Sequence, residues 1–187
     1  MSISTTDIPG YIAGAWKIDP VHSDVSFTVR HMMVSKVRGS FTKFEAEIIT
    51  GEQPQDSSVN ATIELDSIDT RNSQRDDDLR SSNFLDIANH PQLNYRSTGV
   101  RAEGGDFIID GELSLHGVTK AVPLALEFNG FTKDPYGGTR AGFSASATIE
   151  RSDFGITTSM PMDGGGGVVV GEKIAIILEV EAVLNEG

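Results

Sequence analysis

Hydrophobic and polar positions alternate along most of this chain. From Ser23 onward Val25, Phe27, Val29, His31 and Met33 fall on one parity, and Asp24, Ser26, Thr28, Arg30 and Met32 on the other. A period of two predicts a strand with one dry side and one wetter side. Residues 23–33 would extend about 36 Å at ~3.3 Å per residue, which suits a tall, twisted sheet or barrel wall. His31 stands among the apolar positions, where a plain core has no need of an imidazole.

The alternation recurs over residues 37–49, where the parity switches near Thr42 and Lys43 and predicts a bulge that bends the strand. It returns at 59–68, then breaks. Ser73 and Asp76 have capping-box spacing, and Asp76 and Arg80 stand four apart with the acid first. These signals predict a short helix over 74–80, with a further turn over 82–86 before His90-Pro91 stops it. Strands follow at 92–101, 106–115, 119–130 and 139–151. A last one carries Ile174, Ile176, Leu178, Val180, Ala182 and Leu184 on one parity. The turn at Glu103-Gly104-Gly105 predicts a hairpin, and 134–138 and the glycine run 164–167 read as loops.

Eight alternating strands with short links predict one all-β domain, an eight-stranded antiparallel up-and-down barrel with a short helical insertion after the third strand. Residues 15–187 form that barrel, and residues 1–14 read as an N-terminal arm with Ile8, Tyr11 and Ile12 able to dock. A barrel of this size is either filled by its own side chains or holds one small ligand. Small residues on inward parities (Gly39, Gly111, Ala141, Ala145, Ala147) either leave space or match large partners across a packed interior. Both readings stand at this point.

Composition narrows the function. The chain has 187 residues, 38% of them hydrophobic and 22% charged, as a globular domain does. A net charge of −12 repels nucleic acid and anionic membrane surfaces. There is no cysteine, which removes disulfides, thiolate chemistry and cysteine-bound zinc. No stretch approaches the ~20 apolar residues of an integral membrane segment. Residues 1–14 lack the basic start and apolar centre of a signal peptide, so the expected location is cytoplasmic.

Several ordered segments carry a resemblance: Trp16-Lys-Ile-Asp-Pro-Val-His-Ser, Phe27-Thr-Val-Arg-His31, Gly39-Ser-Phe41, Ser67-Ile-Asp-Thr70, Arg75-Asp-Asp-Asp-Leu-Arg80, Phe84-Leu-Asp86, Gly111-Glu-Leu-Ser-Leu-His-Gly117 and Arg151-Ser-Asp-Phe-Gly155. In this order and spacing, from Trp16 almost to the C-terminus, the chain resembles the YceI-like family. The resemblance implies a lipocalin-like barrel holding a long isoprenoid chain, as in a polyprenyl pyrophosphate or an isoprenoid quinone. Many similar members are exported to the periplasm, and the absence of a recognisable leader here departs from them.

Burying hydrocarbon yields about 0.8 kcal/mol per CH₂, whereas a neutral hydrogen bond nets about 1 kcal/mol, so the tunnel wall must dominate affinity for a long tail. The tail-lining candidates are Phe27, Val29, Phe41, Leu113, Leu115, Phe143, Ile176 and Leu178, against ordinary core packing for each. Among the polar candidates His22, His31, Arg75, His116, Arg151 and Asp153, either arginine could meet a pyrophosphate through its forked donors, and His31 could bond a head-group oxygen. The competing reading, preferred for both arginines, has Arg75 capping carbonyls or pairing with an acid and Arg151 pairing with Asp153 at a rim. His116, beside Gly117, reads as a structural turn residue. Asp76-Asp77-Asp78 does not form a metal site, since consecutive helical positions do not face one another.

No His-Glu-x-x-His, Gly-x-Ser-x-Gly, P-loop or dinucleotide fingerprint is present. The expected function is non-catalytic binding, storage or transport of an isoprenoid lipid, with no cofactor, no metal and no nucleic-acid partner, and with homodimer formation left open. The alternatives are sequestration of other hydrophobic small molecules, a lipid-modifying hydrolase or isomerase, or a filled interaction scaffold.

Overall fold

In the computed structural model the alternating stretches become, among the described residues, twelve strands and one α-helix. The structure describes residues 3–31, 34–104, 106–157 and 170–185, with backbone only at His31 and Val170. In chain order the elements are β1 (Gly14–Ile18), β2 (Asp24–His31), β3 (Ser35–Phe41), β4 (Phe44–Thr50), β5 (Ser58–Glu64), β6 (Ile68–Asp69), α1 (Ser73–Arg80), β7 (Gln92–Glu103), β8 (Asp106–Leu115), β9 (Val118–Ala121), β10 (Leu124–Lys133), β11 (Thr139–Glu150) and β12 (Val170–Leu184).

Neighbouring strands pair in the order β1-β4-β5-β7-β8-β10-β11-β12, and β12 returns to β1 through Trp16 opposite Leu184. This closes an eight-stranded antiparallel barrel and leaves that ring without an edge. The length of β12 allows two partners on one flank. Residues 182–184 pair with β1, while residues 174–179 pair with β2. The strand β3 then lies beside β2 as β4 lies beside β1, and β6 beside β3 as β5 beside β4.

Several predicted strands are therefore wall positions broken at a corner. The parity switch at Thr42-Lys43 is not a bulge within one strand. It marks the break between β3 and β4, which have different partners. The stretch 59–68 divides through a 3-10 turn at Leu65–Ser67, and the stretch from 119 divides at Val122-Pro123. The short strand β1 had no alternating run of its own, because five residues are too few to display a period. Met33 and the glycine run 164–167 lie outside the described residues.

Two-residue turns suit the twist of the hairpins. Glu103 pairs with Asp106 across Gly104 (φ 59), and Leu115 pairs with Val118 across His116 (φ 56) and Gly117 (φ 77). The helix forms where predicted, with a different cap. Asn72 is the N-cap and accepts from Arg75 N, which leaves Asp76 to turn inward and accept from Thr70 N and Oγ1. Arg80 bonds to Asp77 and Asp66 rather than to Asp76.

The larger core cluster holds Leu65, Leu113, Leu115, Ile149, Phe154 and Ile156, together with Ile3 and Ile8 of the arm. Burying each such side chain contributes about 1.5–3 kcal/mol. Residues of the 1–14 arm are thus part of the core. Tyr11 fixes the arm by donating to Gly51 O at 2.6 Å and packing edge-on against Phe131. Trp16, 1% exposed, anchors a second cluster with Ala141, Phe143 and Ala182 and donates to Thr50 Oγ1 at 2.7 Å.

Candidate functional site

The barrel wall lines a hollow that opens to solvent and measures about 1380 Å³ when the gaps between wall atoms and the solvent at its mouth are counted. Its wall runs from Leu93 to Val100 on β7. That is about 23 Å of strand at ~3.3 Å per residue, or about 17 Å along an axis against which strands tilt by ~40°. The inward parities supply the wall: Phe44, Ala46 and Ile48 from β4, Val59, Ala61 and Ile63 from β5, Leu124, Leu126 and Phe128 from β10, and Phe143 and Ala145 from β11.

The small residues resolve position by position. A Cβ on Gly39 would stand 2.4 Å from Phe27 Cζ, and one on Gly111 would stand 2.5 Å from Tyr95 Oη, so these two glycines admit large rings. Ala145 instead borders open space, while Ala141 is packed into the Trp16 cluster.

Among the tail-lining candidates, Phe27, Phe41, Leu113, Phe143, Ile176 and Leu178 border the cavity. Val29 and Leu115 do not. Val29 sits opposite Val37 and Ile174, beyond the reach of the hollow, and Leu115 is packed into the main core. Tyr95, Leu126, Phe128 and the β4 and β5 residues were absent from the candidates although their alternation was visible. Sequence offered no reason to favour one inward position over another.

The polar candidates go elsewhere. Arg75 donates from Nε to Thr70 Oγ1 at 2.7 Å and from a terminal nitrogen to Thr70 O at 2.6 Å. Arg151, 3% exposed, donates to Gly171 O at 2.9 Å and Ile156 O at 2.8 Å. Both arginines cap backbone carbonyls, and neither borders the cavity. Asp153 is exposed. The His31 side chain lies outside the described residues.

Four polar groups that border the hollow are tied to the backbone. Ser26 Oγ donates to Ile177 O, Thr50 Oγ1 to Ile12 O, and Tyr95 Oη to Val122 O, while Ser97 Oγ accepts from Val59 N. Burial pushes the Tyr95 hydroxyl well above the usual phenol range, so it stays protonated. The one carboxylate on the wall, Glu45, is exposed, and no histidine, lysine or arginine is on it among the described residues. Such a lining can hold hydrocarbon and offers no nucleophile paired with a base.

Charge gathers instead at the β1–β2 corner. Arg140 bonds to Asp19 at 2.7 Å, Glu181 at 2.8 Å and Asp134 at 2.9 Å, and His22 Nδ1 lies 2.8 Å from Asp19. Hydrogen bonds from His22 and then Arg140 hold the Asp19 carboxyl below the usual carboxylate range. Arg140 and the backbone of Gly138 do the same for Asp134. This network pins β11 and β12 to the corner.

The YceI-like domain family matches residues 16–182. The chain is 38% identical over 175 residues to Protein YceI of Salmonella newport, covering 92% of this chain and 88% of that protein. Among solved structures it is similar to the Campylobacter jejuni YCEI protein, with 26% identity, a TM-score of 0.71, and 84% and 90% of the two chains covered. A polyisoprenoid binding domain from Saccharophagus degradans shares the fold at 14% identity, with a TM-score of 0.69 and 93% and 100% covered. No helix among the described residues is long and apolar enough to cross a membrane.

Proposed function

Because this chain belongs to the YceI-like family, we propose that its barrel binds a long isoprenoid lipid and stores or carries it unchanged. The observation that carries this reading is the elongated, almost wholly apolar hollow. Each CH₂ moved from water into it contributes about 0.8 kcal/mol before ordering costs, so affinity grows along the tail. The polyisoprenoid binding domain from Saccharophagus degradans supports the same use of a shared fold.

Among the described residues the wall carries no guanidinium or ammonium group, which favours recognition through the tail. That also favours an uncharged head, as in an isoprenoid quinone, over a pyrophosphate. Arg75 and Arg151, the two candidates for a phosphate, are already engaged with carbonyls. The hydroxyls of Ser26, Thr50 and Tyr95 are already donating to backbone carbonyls, which supports holding the guest unchanged.

The test is solvent extraction and native mass spectrometry of purified protein, followed by titration with quinones of increasing isoprene number. The expected result is a bound isoprenoid recovered intact, and a Kd that falls with each isoprene unit until the hollow is full. An affinity indifferent to tail length would favour sequestration of assorted hydrophobic compounds. An altered guest released by the protein would favour an enzyme.

A further inference from the structure

Two histidines and a carboxylate meet beside the end of the barrel where β7 begins and β8 finishes, and the hollow uses none of them. Asp86 and His90 belong to the turns leading into β7, and His116 to the turn joining β8 and β9. One ligand atom from each lies within 4.8 Å of the other two. The imidazole centroids are 5.0 Å apart with planes tilted by 57°. All three side chains are partly accessible. We propose that Asp86, His90 and His116 hold a divalent first-row transition-metal ion of the zinc kind, with a coordination position left for water or a small anion.

The donor set suits that ion, since two imidazoles and one carboxylate leave a tetrahedral site open at one corner. Zinc bonds of about 2.0–2.1 Å place tetrahedral ligands about 3.4 Å apart, so side-chain adjustments of about 1 Å complete the site. The groups behind the ligands are also in place. His116 Nδ1 lies 3.0 Å from Phe154 O. A carbonyl only accepts, so Nδ1 carries the proton and Nε2 presents its lone pair, the arrangement a metal-ligating imidazole requires. Asn89 Nδ2 donates to Asp86 Oδ2 at 3.0 Å, which orients the carboxylate.

The backbone is shaped to bring the rings together. A Cβ on Gly117 would lie 2.9 Å from His90 Cε1, so glycine is what lets that imidazole approach the turn. The turn needs positive φ at both central positions, for which asparagine or glycine is the ordinary choice at position 116. A histidine there contributes an imidazole that the turn itself does not need. Asp86 is likewise held at φ 51, and side chains in this region persist where the surroundings fix them. The contrasting group Asp19, His22 and Glu181 has comparable spacing, but Arg140 already supplies its cation. Among the described residues no lysine or arginine pairs with Asp86.

The test uses the whole chain, stripped with a chelator and titrated with Co²⁺ by visible absorption and with Zn²⁺ by calorimetry. One ion per chain is expected, with tetrahedral cobalt bands that zinc displaces and a zinc-dependent rise in Tm. His90→Ala and Asp86→Asn should each weaken binding at least about tenfold and abolish the Tm rise, with circular dichroism unchanged. His22→Ala should leave binding intact. Absence of saturable binding, binding that survives both Asp86→Asn and His90→Ala, or binding lost in His22→Ala overturns the proposal. Asp86→Asn is nearly isosteric and keeps the test decisive even where His90→Ala folds poorly.

Discussion

Replacing Ala145 by leucine separates a hollow barrel from a filled one. Ala145 lies opposite Leu126 on β10 and Leu178 on β12, and all three border the interior space. Leucine adds three carbons to that space. In a hollow barrel they displace about three methylenes of guest, worth about 2.4 kcal/mol at ~0.8 kcal/mol each, or roughly a 50-fold rise in Kd. The guest-free protein gains apolar burial without overpacking, so its Tm holds or rises. In a solid interior the same carbons would cost about 1–3 kcal/mol and lower Tm by about 2–4 °C per kcal/mol. Gly39→Ala is the internal control, because its Cβ would meet the Phe27 ring at 2.4 and 2.7 Å and should lower Tm. The assay is thermal melting of guest-free protein with quinone titration in parallel. An Ala145→Leu protein that melts early as Gly39→Ala does, or binds a long-tailed quinone as tightly as the parent, refutes the reasoning.

Two further outcomes follow from the polar network. Asp19 and Asp134 have depressed carboxyl pKa values in the folded state. Their stabilisation is therefore present above the unfolded carboxyl value near 3.9 and is lost as pH falls through the folded values. Melts across pH 3–7 should show Tm declining in acid, and Arg140→Met should lower Tm at pH 7 and flatten that decline. Arg151→Met removes the donor to two backbone carbonyls and should cost about 3 kcal/mol, roughly 6–12 °C in Tm. Quinone affinity should stay unchanged, and a selective loss of pyrophosphate-headed lipid would restore Arg151 to the binding site.

The period-two pattern was legible because each strand faces one dry and one wet side, a local property that survives in sequence order. Val25 and Phe27, or Leu113 and Phe143, announce an inward face without knowledge of their partners. The corners were less legible. Whether Thr42-Lys43 is a bulge or a break depends on which strands lie alongside, and one partner of β4 is β1, about thirty residues away.

Sequence alone determined the barrel class, the helix after the third wall position and the inward parity of the longer strands. Tertiary structure alone decided which inward positions border empty space, because emptiness is a property of several strands at once. Gly39 and Ala145 look alike as small residues on an apolar parity, yet the Phe27 ring occupies the space at one and the other borders the hollow. The same holds for the arginines, whose partners Thr70, Gly171 and Ile156 are carbonyls that no side-chain motif records. It holds equally for Asp86, His90 and His116, which only the meeting of two separate turns brings within ligating distance.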